Sequence, residues 1–186
     1  MTMTGLFGRI SSTRPAAVRR LALIVFAVAF TTFQLCGLTG IRINASPSLP
    51  IGLYRTTSDP GARLIEFCPA EPFAGLAISR GYRDRGTCRD GATPLMKPVV
   101  ASAGDTVEVS EQGIAVNGRL LPNTAPLRVD THGRPLVPWP FGRYQVQPEA
   151  VWVASSHHPR SFDSRYFGPI PVSSIRAHVR PILTAW

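Results

Sequence analysis

Lysine is almost missing from this chain. Of its twenty cationic side chains nineteen are Arg and one is Lys97. Acidic residues are also scarce, 11 in 186, and none precedes Asp59. Cysteine occurs three times, at positions 36, 68 and 88, with no nearby His at finger spacing, so no complete zinc site is expected. The net charge of +9 would suit nucleic acid, but the Arg residues are scattered, with no long basic run and little aromatic interleaving. A nucleic-acid partner is therefore not expected. The Gly-x-Ser-x-Gly elbow of one large hydrolase class is absent. No cofactor or metal is implied.

A scarcity of Lys has a plain compositional explanation, replacement of most Lys by Arg, but that leaves open why one position kept it. Lys97 lies in the apolar stretch Pro94-Leu95-Met96-Lys97-Pro98-Val99-Val100-Ala101. Burial there would disfavour the ammonium and lower its pKa, which makes Lys97 a candidate general base. A guanidinium offers no such route, because it stays charged.

The distribution of charge points to a membrane. From Leu21 to Ile41 no side chain ionises except Cys36. As a helix this stretch is about 30 Å long, a bilayer's hydrocarbon thickness. Arg9, Arg14, Arg19 and Arg20 precede it and favour a cytoplasmic N-terminus. A cleavable signal peptide is the rival; its apolar region would be shorter and end in a small-x-small site. The expected organisation is a basic cytoplasmic segment (1–20), a transmembrane helix (21–41) and an exported domain (42–186). Cys68 and Cys88 then lie where disulfides persist. Their bond would close a Gly-, Pro- and Arg-rich segment and add about 3 kcal/mol in the chain-entropy model.

Beyond the anchor, 18 Pro and 16 Gly across the chain leave short β-type runs and little helical period. Pro94–Val100, Asp105–Val109, Val151–Ala154 and Ala177–Leu183 read as strands, and Gly113–Gly118 as part of a hairpin turning at Asn117-Gly118. Leu121–Tyr144, with five Pro, reads as an extended loop. The fold class is mainly β.

Three segments carry chemistry together. Asn44-Ala-Ser46-Pro-Ser48-Leu-Pro50-Ile-Gly52-Leu-Tyr54 is either a Pro-rich linker or a box. Lys97 to Asp105 is a strand running into a Gly-Asp turn. Ser161-Phe-Asp163-Ser164-Arg165-Tyr-Phe-Gly168 packs a carboxylate, an Arg and hydroxyls into a few residues, as a capped turn or a hydrogen-bonded network.

In order and spacing these segments resemble the boxes of type I signal peptidases, the serine–lysine dyad family. Ser48-Leu-Pro resembles the nucleophile box, with Leu for Met and one residue fewer before Pro. Lys97–Asp105 resembles the base box, with Pro98 for Arg, and Ser161–Gly168 matches the third. Ser156-His157-His158-Pro-Arg160 departs from the Gly-Asp-Asn-Arg that precedes that box in the family. The conjugative-transfer branch, the TraF-like peptidases, is more similar still: it shares the Asn-x-Ser-x-Ser start, a Cys pair before the Lys strand and one N-terminal anchor.

The resemblance implies a signal-peptidase-like β domain on a single transmembrane helix, in a bacterial inner membrane with its catalytic domain in the periplasm. Ser48 would be the nucleophile and Lys97 the base, with the Ser48 N–H and the Ser46 hydroxyl at the oxyanion. Ser161 and Arg165 would support the site. Asp163 would orient Lys97 or pair with Arg165; in conjugative relatives the matching Asp is implicated in resolving the acyl-enzyme by the substrate's own amine. The implied partner is an exported, pilin-like precursor with small residues before the scissile bond, alongside other proteins of a conjugation apparatus. Two alternatives remain: a Ser–His–Asp hydrolase using His157 or His158, and a non-catalytic, membrane-tethered assembly protein of a secretion apparatus.

Overall fold

The computed structural model describes residues 16–38 and 40–185, with side chains left aside over 32–38. Residues 1–15 of the basic N-terminus and the side chain of Cys36 lie outside the described residues. The chain divides into two compact units, one ending at Gly40 and the other beginning at Ile41.

The first unit contains helix α1, Ala16–Leu38, 23 residues long. Its apolar side chains, among them Leu21, Leu23, Ile24 and Phe26, are exposed. Described side chains end at residue 31, and among the described residues no helix is long and apolar enough to cross a membrane.

The second unit is built from two antiparallel sheets. The larger uses β1 (Ile41–Asn44), β2 (Ile51–Thr57), β3 (Leu64–Phe67), β4 (Leu95–Ala101), β9 (Ala150–Val153), β10 (Ile170–Pro171) and β11 (Ile175–Ala185), in the order β1-β2-β11-β3-β4-β9-β10. The smaller has the order β7-β6-β5-β8, from β5 (Thr106–Ser110), β6 (Gly113–Val116), β7 (Arg119–Leu120) and β8 (Gly142–Gln145). Period-two patterning places them: in β5, Val107 and Val109 are buried while Glu108 between them is exposed. Asn117 and Gly118 both have positive φ, 50° and 80°, as the two-residue turn joining β6 to β7 requires.

Two apolar clusters hold these layers together. Val107, Val109 and Ile114 of the small sheet pack with Ala101, Val146 and Trp152. Ile65, Phe67, Val151, Val153, Phe167 and Ile170 form the second. Each fully buried large side chain stabilises the fold by roughly 1.5–3 kcal/mol.

The structure adds elements that the sequence did not suggest. Residues 41–57 are a β-hairpin, not a linker. Inside the segment closed by the Cys68–Cys88 disulfide lies a short helix, α2 (Phe73–Ser79), with Ala74 and Ala77 buried. The expected loop Leu121–Tyr144 ends early, since residues from Gly142 pair with β5, and it contains a bridge between Val129 and Pro135. A one-turn helix, α3 (Ser164–Phe167), follows Asp163.

Candidate active site

Ser48 sits in the turn between β1 and β2, and Asn44 builds that turn. Its side-chain amide donates to the carbonyls of Ser46, Leu49 and Pro50, while its carbonyl oxygen accepts from the Ser46 N–H. The Tyr54 hydroxyl also donates to the Pro50 carbonyl, at 2.6 Å. Ser48 is thereby buried, with its hydroxyl 3.0 Å from that of Ser46. The Ser48 N–H donates to the Ser46 oxygen at 3.4 Å, a long bond that an incoming oxyanion could replace.

Lys97 occupies an inward position of β4, opposite Ile65 of β3. Leu95 and Val99, two residues either side, share its face and pack with Ile65, Phe67 and Val153. It is 4% exposed. Burial in this apolar setting lowers the ammonium pKa from 10.5 to about 8; the Asp163 carboxylate opposes the change and the Arg165 guanidinium adds to it. Pro98 has no N–H to give the strand, but its carbonyl accepts from the Ala154 N–H and the following Val99 N–H donates to the Arg63 carbonyl. A cavity of about 520 Å³ is lined by Ser46, Ser48, Lys97 and Ser161 together. No hydrogen bond joins Ser48 to Lys97 in this structure. Among the described residues the buried Ser161 hydroxyl has no hydrogen-bond partner.

Asp163 and Arg165 are wholly buried and paired, 2.8 Å between Arg165 Nε and Asp163 Oδ1. Asp163 caps α3 by accepting from the Arg165 N–H, and it accepts from the Ser155 N–H at 3.0 Å. Its influence on Lys97 is through the field, with no hydrogen bond between them. Arg165 also donates to the carbonyls of Asn123, Pro159 and Ser155. His158 lines the cavity's edge, and its Nδ1 accepts from the Arg160 N–H.

Sequence reasoning missed Ser155. Its hydroxyl donates to the Ser48 carbonyl in a very short bond and accepts from the His157 N–H. Asp163, Ser155 and Ser48 thus form one hydrogen-bonded line from the third box to the first. One Ser in a run of Ser and His carries no signal of its own; only the fold brings the segment after β9 to the Ser48 turn.

The family model for signal peptidase, peptidase S26, matches residues 15–184. This chain belongs to the S26 signal peptidase family. It is 42% identical over 151 residues to a plasmid transfer protein TraF of Escherichia coli, covering 78% of this chain and 83% of that protein. To a conjugal transfer protein TraF of Agrobacterium tumefaciens (strain 15955) it is 37% identical over 166 residues, covering 86% and 90%. A signal peptidase I structure from Enterococcus faecalis V583 covers 66% of this chain at 17% identity with a TM-score of 0.36, a likeness too slight to argue from. The family shared with these relatives therefore rests on sequence.

Proposed function

We propose that this protein is a serine endopeptidase that cleaves exported precursors, with Ser48 as nucleophile and Lys97 as general base. The observation that carries the reading is a buried Lys, its pKa near 8, lining one cavity with a buried Ser in an S26 family chain. Neutral Lys97 takes the Ser48 proton as the oxygen attacks the scissile carbonyl. The Ser48 N–H and Ser46 hydroxyl receive the oxyanion, and the Lys97 ammonium returns a proton to the leaving amine.

The acyl-enzyme then has two exits. Attack by water releases a linear product. Attack by the substrate's own terminal amine releases a ring lighter by one water, with the proton returned to Ser48. The relatives' names, plasmid and conjugal transfer proteins, support a role in conjugative transfer, and a conjugative pilin is the precursor proposed. The stretch from Leu21 to Ile41, in which no side chain ionises except Cys36 and most of which lies in α1, supports an inner-membrane anchor with the β unit in the periplasm. The disulfide is consistent with that compartment.

Mass spectrometry of a co-expressed candidate pilin precursor tests the reading. Cleavage by the unaltered protein, lost in both Ser48→Ala and Lys97→Arg, is the expected result. A non-catalytic assembly protein would tolerate either change.

A further inference from the structure

Residues 127–136 form a hairpin that the dyad chemistry does not use. The bridge between Val129 and Pro135 closes it. At its centre, Asp130 accepts from the His132 and Arg134 N–H groups and from Arg134 Nε at 2.6 Å. The same carboxylate accepts from the Tyr82 hydroxyl at 2.6 Å. Two more bonds fasten the hairpin to residue 80: Arg80 donates to the Pro135 carbonyl, and Arg134 donates to the Arg80 carbonyl. The Arg134 guanidinium also lies over the Tyr82 ring, 5.7 Å from its centroid. At the hairpin's base the Leu127 N–H donates to the Tyr166 hydroxyl.

The hairpin is held at many points, and toward the cavity it presents three apolar side chains beside Asp130 and Thr131. Leu127, Val129 and Leu136 line the cavity that holds Ser48 and Lys97, and Val129 is 47% exposed there. Leu95, Phe162 and Tyr166 line the same cavity. Asp130 faces it too, but its bonds leave it no call on an incoming cation. Burial alone would raise its carboxyl pKa; the bonds from Tyr82 and Arg134 outweigh that and hold it well below the usual range.

We propose that this hairpin is the specificity-determining wall of the cleft, and that Asp130, by locking it to Tyr82, holds Leu127, Val129 and Leu136 in position to cover an apolar side chain of an extended peptide. The inference rests on the peptidase reading and adds the substrate class: a segment with a Leu-sized apolar residue at a position other than the small ones beside the bond. Asp130 and Tyr82 are positioning residues in this scheme. A hydrophobic pocket of this kind discriminates by about 10–200-fold.

The test is a peptide series in which one Leu is walked through each position around the scissile bond of an otherwise Ser/Ala sequence. For the unaltered protein, Leu at one position lowers KM about tenfold relative to Ser. In Asp130→Asn and in Tyr82→Phe, which deletes only the hydroxyl, that preference falls below threefold. It falls through a rise in KM for the Leu peptide, with kcat moving less than threefold. Full preference in both variants, or a fall confined to kcat, overturns the proposal. Should the unaltered protein cleave no peptide, the peptidase reading fails separately. Calorimetry of the same peptides with Ser48→Ala then decides the wall: a Leu preference lost on adding Asp130→Asn sustains it, and no Leu preference overturns it.

Discussion

Lys97 weakens the fold it sits in. Its pKa is about 8 in the folded chain against 10.5 ordinarily, so between those values the unfolded chain binds more protons. Stability therefore rises as pH climbs from 8 to 10.5, and the full penalty, about 3 kcal/mol at 1.36 kcal/mol per pH unit, applies below pH 8. Lys97→Met, similar in volume, should be inactive yet more stable at pH 7, by roughly 1–3 kcal/mol in urea unfolding, with the gain shrinking above pH 8. An unchanged or lower midpoint would mean that the ammonium is not desolvated. Ser155 makes the opposite kind of contribution. Ser155→Ala removes the bond to the Ser48 carbonyl, and a nucleophile misplaced by a fraction of an ångström is expected to lower kcat by about 10–100-fold while KM holds. Ser155→Thr should restore most of the loss. The burial of Lys97 was legible in the sequence because it is the one Lys in an apolar strand. Ser155 was not, because its role exists only where the segment after β9 meets the β1–β2 turn.

Among the elements, strands with one apolar face toward the core could be read directly, as in β5 and the Asn117-Gly118 hairpin. The β1–β2 hairpin could not, because its pattern is inverted: Ile43, Ile51 and Leu53 point outward and are exposed, while Asn44 and Tyr54 are buried. Helix α2 is too short for a 3.6-residue period to register, and residues 121–141 take their shape from bonds to α3 and to Tyr82. The disulfide belongs to this scale. It closes the segment that carries Arg80 and Tyr82, and Arg83 of that segment pairs with Asp90, two residues beyond Cys88. Replacing Cys68 and Cys88 by Ser should cost about 3 kcal/mol of stability. Because the hairpin 127–136 is fastened to the same segment, KM for peptides should rise more than kcat falls. A change confined to kcat would separate the staple from the cleft.

For the whole molecule, the organising group is Arg165. Buried beside Asp163, it reaches the carbonyls of Asn123, Ser155 and Pro159, so the third box joins the segment behind the β1–β2 turn to the long loop. The order of the three boxes revealed the family, and residues from all three line one cavity. The contents of the cleft's outer wall were not legible, since they depend on which loop Arg165 and Asp130 hold there. The anchor proposed before Ile41 carries a further testable expectation. A flexible insertion of about ten residues at Gly40, outside β1, should impair cleavage of membrane-embedded precursor more than cleavage of a soluble peptide. Equal effects would remove the bilayer from the account.

The central claim is that a neutral Lys97 activates Ser48, and the pH dependence of kcat/KM on a soluble peptide tests it most directly. The account predicts a single rising limb of slope one that levels off above about pH 8, the value that burial gives Lys97. A profile that levels off near pH 6.5, as a His base would give, or one that is flat from pH 6 to 10, would contradict it.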